Sequence, residues 1–176
     1  VTLVGVVNAD VTLNLPDFRA SEHAFNLITQ VAGRAGRGDD GGEVIVQTYA
    51  PGHYAITSAA KHDYEKFYEK EIQTRRELNF PPFVHIVKVT VRSRDEKKAR
   101  RAADDTAAAM KTEAGQFEVV GPAPAPMHKV RGYYRWNILL KGVNRSIITG
   151  SVRKVMANTR RPSGVLTAVD VDPISM

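Results

Sequence analysis

Tyr133-Tyr134-Arg135-Trp136-Asn137-Ile138-Leu139-Leu140-Lys141 alternates cleanly. Tyr134, Trp136, Ile138 and Leu140 fall on one side, and Tyr133, Arg135, Asn137, Leu139 and Lys141 on the other, the period of a half-buried β-strand. Working outward, Asn144 opens a helix that turns Ile147, Ile148, Val152, Val155 and Met156 inward, and Val165 to Val171 closes as a strand. Upstream, Phe117 to Val120 reads as a short strand. Asp95 to Glu113 reads as an alanine-rich helix with Ala99, Ala102, Ala103, Ala107 and Met110 on one face, and Val84 to Val91 as a strand.

The resulting order, βαββαβ, predicts a ferredoxin-like (split βαβ) arrangement, one sheet with both helices on one face. Between its second and third strands lies Gly121-Pro122-Ala123-Pro124-Ala125-Pro126-Met127-His128-Lys129-Val130-Arg131-Gly132. Alternating prolines favour extended polyproline geometry, so this stretch is expected to be a stiff projecting loop with a basic tip.

The first half of the chain has a different grammar. Val1 to Val7 reads as a buried strand and Asn8 to Asp17 as a loop. Ser21 is expected to cap a helix carrying Ala24, Phe25, Ile28, Val31 and Ala32, and Val44 to Tyr49 forms a second strand. This βαβ unit supplies only two strands, too few to bury a doubly wound core, and the chain opens on Val1 without an initiator Met. Both features predict a fragment of a longer protein. Ala55 to Leu78 reads as one helix with Tyr64, Phe67, Tyr68 and Ile72 on a core-facing stripe, stopped by Pro81-Pro82. The expected organisation is an α/β remnant over residues 1–52, a helical connector over 53–82 and an α+β unit over 83–176.

Composition narrows function. There is no cysteine, so disulfides, thiolate nucleophiles and thiolate zinc ligands are excluded within the chain, and no apolar run is long enough for a membrane helix. The formal net charge of +6 is unevenly spread: residues 83–176 hold 17 basic and 8 acidic side chains, whereas residues 1–50 hold three basic and six acidic. A basic unit beside an acidic one suggests a polyanion partner, nucleic acid above all, and a solvated basic surface stays open as the alternative. The five histidines show no metal-ligand spacing. Asp170 and Asp172 share a strand face and admit either a metal site or, more simply, a structural turn before Pro173.

The most informative short motif is Gln30-Val31-Ala32-Gly33-Arg34-Ala35-Gly36-Arg37-Gly38. Arginines three apart at a helix end share a side, and flanking glycines let backbone approach a ligand closely. Paired guanidiniums suit a triphosphate, because each offers a planar fork to phosphate oxygens; glycine-arginine pairs are also ordinary turn residues. Gln30-x-x-Gly33-Arg34-x-Gly36-Arg37 resembles motif VI of superfamily 2 helicases, and Gly5-Val6-Val7-Asn8-Ala9-Asp10 through Leu15-Pro16-Asp17-Phe18-Arg19-Ala20-Ser21-Glu22 resembles a motif V region. The whole run, with Gln47-Thr48-Tyr49, Arg75-Arg76-Glu77-Leu78, Pro81-Pro82-Phe83, the proline stretch, Tyr134-Arg135-Trp136 and Asp170-Val171-Asp172-Pro173, is similar to the replication-restart primosomal DNA helicases.

That resemblance implies that residues 1–52 end a RecA-like helicase lobe. Arg34 and Arg37 would then reach the ATP γ-phosphate and Gln30 would couple nucleotide to the lobe interface, with Gly33 beside them, while Asn8 and Asp10 lie in a loop linking ATP state to DNA contact. It implies an ATP-dependent 3′ to 5′ helicase acting at stalled or branched forks and assembling the primosome. No G-x-x-x-x-G-K-[ST] phosphate loop occurs here, so the ATP and Mg²⁺ site and the family's zinc are expected upstream, and the fragment is expected to be catalytically inactive. The C-terminal unit would bind branched and single-stranded DNA through Lys129, Arg131, Tyr133, Arg135 and Lys141; Tyr134 and Trp136 read first as core and second as stacking residues. Other implied partners are further primosome proteins and single-stranded DNA-binding protein, with Arg145 either meeting its acidic tail or simply solvated, in a cytoplasmic, nucleoid-associated setting. A stand-alone nucleic-acid-binding or docking module is the alternative from another class.

Overall fold

The computed structural model describes residues 2–35, 42–159 and 162–176. The chain is a mixed α and β protein in two compact units, Val1–Glu77 and Leu78–Ile174.

In the first unit β1 (Leu3–Val6) and β2 (Glu43–Val46) pair in parallel, joined through α1 (Asp10–Leu13) and α2 (Ala20–Ala32). The expected loop from Asn8 to Asp17 thus contains a helical turn. Asn8, at φ 59°, reverses the chain before it, a conformation that asparagine tolerates. Ser21 does not cap α2. The Asp17 carboxylate accepts the Arg19 N–H at 2.9 Å and its carbonyl accepts the Ala20 N–H at 3.0 Å, starting the helix ahead of Ser21.

The single helix expected over Ala55 to Leu78 is two, α3 (Tyr54–Ala59) and α4 (Tyr64–Glu77). His62 adopts φ 52°, the His62 and Asp63 N–H groups close back onto Ala59 and Ser58 carbonyls, and the Asp63 carboxylate then accepts the Lys66 N–H at 2.9 Å. One helix ends in a left-handed cap and the next begins on an aspartate. Of the expected core stripe only Phe67 is fully buried, stacked on Phe25 at 4.3 Å, whereas Tyr64 and Tyr68 are exposed.

A partly buried polar knot ties α2, α3 and α4. Glu71 accepts from Tyr54 Oη at 2.6 Å and from Arg75 Nε at 2.6 Å, and Arg75 Nη2 reaches Glu22 at 2.7 Å. Burial, reinforced by the hydrogen bond to Glu71, pushes the Tyr54 hydroxyl up to about 12. Burial works against charged Arg75, but its bonds to Glu22 and Glu71 outweigh that and raise its pKa.

The second unit is a four-stranded antiparallel sheet in the order β4-β5-β3-β6, formed by β3 (His85–Ser93), β4 (Glu118–Val130), β5 (Tyr133–Gly142) and β6 (Val165–Val171). Helices α5 (Glu96–Glu113) and α6 (Arg145–Asn158) pack on one face over Val87, Val89, Val91, Ile138 and Leu140, which are fully buried. Asp95 and Asn144 cap these helices by accepting backbone N–H groups of Lys98 and of Ser146 and Ile147.

The proline stretch is not a loop. β4 runs through it, with Ala123 opposite Asn137 and Pro124 opposite Trp136, across two register shifts. The reason is position: β4 is an edge strand, so nitrogens without a proton cost no ladder bond on its outer side, and the shifts absorb the mismatch. Gly121 supplies the bend at φ 97°, where an added Cβ would sit 2.9 Å from the Asn137 carbonyl oxygen.

Two outcomes follow from these contacts. Glu71→Ala removes an acceptor of both Tyr54 and Arg75, leaving Arg75 with Glu22 alone, and is expected to destabilise the first unit by about 1 to 2 kcal/mol in urea titration. His53 caps α3 by accepting the Ala55 N–H on its Nδ1 at 3.2 Å, and burial, partly offset by Glu71, holds its pKa below the ordinary 6.5. Its contribution is present above pH 6.5 and is lost as pH falls below that value, because the unfolded chain takes up the proton first. Urea midpoints from pH 7.5 to 5.5 should therefore fall in the native chain and fall less in His53→Asn, which keeps a cap without the titration.

Candidate nucleic-acid interface

The face of the second sheet opposite the helices is set by the same register that builds the core. β3 and β5 pair with Lys88 opposite Leu139, Thr90 opposite Asn137 and Arg92 opposite Arg135. Because side chains alternate, all of these share one face. Arg94 lies just past the end of β3, in the bend that leads to α5. The Arg92 and Arg94 guanidiniums lie over the Tyr133 ring at 5.6 and 5.4 Å from its centre, within cation–π range. Arg131 stands exposed in the β4–β5 turn at φ 49°, beside Gly132 at φ 80°.

The two ends of this face differ electrostatically. At one end Lys88 meets Asp170 at 3.8 Å and Lys141 meets Glu118 at 3.9 Å, and in the middle Thr90 donates to Asn137 at 3.0 Å. At the other end, Arg92, Arg94, Arg131 and Arg135 have no carboxylate within ion-pair distance among the described residues. Four uncompensated guanidiniums at one end of a sheet attract a polyanion.

Of the residues expected to contact DNA, Arg131, Tyr133 and Arg135 come together here. Lys141 does not join them: its Nζ donates to the Leu78 carbonyl at 2.9 Å, lies over Phe80 at 4.4 Å and pairs with Glu118, with a side chain only 12% exposed. Lys129 lies on the helix-bearing side, donating to Tyr134 Oη at 3.1 Å over that ring. Tyr134 and Trp136 are half-buried there around His128, and Arg100 lies over Trp136 at 5.7 Å. Arg92 and Arg94 were not among the expected contacts, because the strand was expected to end at Val91 and only its extension to Ser93 puts Arg92 opposite Arg135.

The other expected sites lie apart. Ala9 N–H reaches the Gln47 carbonyl at 3.0 Å, and Asp10 accepts from Thr48 Oγ1 and the Tyr49 N–H, each at 3.0 Å, which ties Asn8 and Asp10 to the segment leaving β2. Gln30, Gly33 and Arg34 lie at the far end of α2, whose 13 residues span about 20 Å. Arg34 is exposed, with its N–H on the Val31 carbonyl at 3.0 Å. Arg37 lies outside the described residues.

Arg145 is exposed with Nη1 at 3.9 Å from Asp172, and Asp172 also accepts the Ile86 N–H and meets His85 at 3.1 Å. Asp172 thus fastens the end of β6 to β3, as a structural turn requires. Among the described residues no three His, Cys, Asp or Glu side chains gather as a metal site, and no helix is long and apolar enough to cross a membrane.

Residues 76–174 match the family described as primosomal protein N C-terminal domain. Over essentially the whole chain the sequence is 38% identical to replication restart protein PriA of Bacillus subtilis, 41% identical to that of Treponema pallidum and 36% identical to that of Borreliella burgdorferi. The chain spans 22%, 27% and 26% of those relatives.

Stability separates the two ends of the face. Like charges opposed across strands cost a few tenths of a kcal/mol, so Arg135→Ala should leave the urea midpoint unchanged or raise it. Lys141→Ala, which strips three contacts, should lower it.

Proposed function

This chain belongs to the primosomal protein N C-terminal domain family, which places it with proteins named for replication restart, and on that premise we propose that its second unit is a DNA-binding module working beside an ATP-coupling element in the first. The observation that carries the reading is the arginine end of the sheet: Arg92, Arg94, Arg131 and Arg135 converge where no carboxylate of the described chain neutralises them. Such a surface neutralises phosphates, releases counterions and binds with an affinity that falls steeply as salt rises. The strand order with both helices on one face supports the ferredoxin-like, split βαβ description of this unit.

In the longer protein the proposed activity is ATP-dependent 3′ to 5′ unwinding at stalled or branched forks, followed by primosome assembly. The parallel β1-α2-β2 unit supports its assignment to the end of a RecA-like lobe. ATP, with Mg²⁺, would supply the phosphoryl-transfer chemistry. Within this chain Arg34 fits the role of an anion ligand, exposed at the end of a helix, and with Arg37 it would neutralise charge on the γ-phosphoryl group; Gln30 and Gly33 flank it on the same helical end. Asn8 and Asp10, held against Thr48 and Tyr49, would relay lobe movement toward DNA. Single-stranded DNA-binding protein and other primosome proteins are proposed partners, Arg145 being an exposed cation for an acidic segment despite its loose pairing with Asp172.

Fluorescence anisotropy of the chain against forked, single-stranded and duplex oligonucleotides over a salt series tests the DNA reading. The expected result is tightest binding to the fork and a steep salt dependence. Arg92→Ala and Arg135→Ala should each lower the slope of log affinity against log salt by about 0.7 to 0.9. Equal binding to all three DNAs with no salt slope would refute it.

A further inference from the structure

Arg92 and Arg135 are directly opposed across β3 and β5, and Arg94, one residue past the end of β3, comes back over the same Tyr133 ring as Arg92, at 5.4 and 5.6 Å from its centre. Three planar forks are therefore gathered at one end of the strand pair, two of them on a single ring, close enough together to meet neighbouring phosphates of one nucleic-acid strand. Opposing like charges without a counter-charge weakens a sheet, and an anion placed between them removes that penalty.

The aromatic side chains of β5 point to what kind of contact this is. The Tyr133 ring carries Arg92 and Arg94, the Tyr134 ring carries Lys129, and the Trp136 ring carries Arg100. Each aromatic ring of the strand already has a cation over it, and each is half-buried. A stacking platform needs an open ring face to receive a base. These rings instead hold cations in place.

We infer that Arg92, Arg94 and Arg135 bind two successive phosphodiesters of one nucleic-acid strand and that Tyr133 is a positioning residue, holding the guanidiniums rather than stacking on a base. The assignment rests on the DNA reading above and narrows it to the backbone, so the site reads no sequence. Arg131, exposed in the turn, extends the positive end toward the next phosphate. The same forks would accept the linked phosphates of a free polyphosphate, so the source of the phosphates has to be separated experimentally.

The test measures binding of the chain to labelled oligothymidylate and to an abasic strand of equal length, with inorganic tripolyphosphate as competitor at equal phosphate concentration. Both strands should bind within about a factor of two, and tripolyphosphate should not displace them. Tyr133→Leu should weaken both strands equally and lower the salt slope, and Tyr133→Phe, which keeps the ring, should restore both values. Thermal melting identifies a variant that fails to fold; in that case the exposed Arg94→Ala carries the test, with a slope reduced by about 0.7 on both strands.

An abasic strand bound about tenfold or more weakly than oligothymidylate would overturn the backbone assignment while leaving the DNA reading intact. Displacement by tripolyphosphate would overturn the strand as the source of the phosphates. A Tyr133→Phe variant that behaves like Tyr133→Leu would remove Tyr133 from its positioning role. Absence of binding to any oligonucleotide would defeat the DNA reading itself, and the inference with it.

Discussion

The register of β3 against β5 is the constraint on which the second unit depends. Val87 opposite Leu140, Val89 opposite Ile138 and Val91 opposite Trp136 direct one face into the helices. A slip of one residue would turn those side chains outward and bury lysines and arginines, so the hydrophobic pattern fixes the pairing. The period of two then leaves no freedom on the reverse side: once Val91 meets Trp136, Arg92 must meet Arg135, and Arg94, just past the strand end, lies over Tyr133. The core thus positions a cluster that it never touches.

Charge along that reverse face is arranged rather than merely abundant. Lys88 and Lys141 are neutralised by Asp170 and Glu118, and Lys141 is further engaged by Leu78 and Phe80. The arginines at the opposite end lack such partners among the described residues. The formal surplus of nine positive charges over residues 83–176 overstates the part of the surface that an anion would meet, and the salt bridges identify where the remainder lies. Arginine suits this end because its fork holds a phosphate by two hydrogen bonds and still lies flat on an aromatic ring.

Much of the fold was legible because it rests on periodicity. The alternation of Tyr133 to Lys141, the alanine stripe of Ala99, Ala103 and Ala107, and the β-branched run of Val165 to Val171 each have one sterically consistent reading. Where expectation and structure differ, a local hydrogen bond or a position in the sheet decides. Nothing in the local sequence announces that His62 turns left-handed and that Asp63 starts a new helix after it, so α3 and α4 read as one helix. The prolines of β4 read as a loop because a sequence does not say which strand lies at an edge, and only edge strands accept them. Site residues followed the same division. Tyr133 and Arg135 were found from their alternation, whereas Arg92 and Arg94 depended on a cross-strand partner 41 and 39 residues away and Lys141 on contacts with Leu78 and Phe80.

The central claim is that DNA meets the arginine end of the face opposite the helices. Proton–nitrogen NMR of the arginine side chains during titration with oligothymidylate tests it most directly. The account predicts that the Nε–H signals of Arg92, Arg94 and Arg135 shift together and early, while the lysine signals of Lys88 and Lys141 and the Nε–H signal of Arg100 on the helix side hold their positions. Shifts concentrated on Arg100 and Lys129, with Arg92 and Arg135 unmoved, would contradict it.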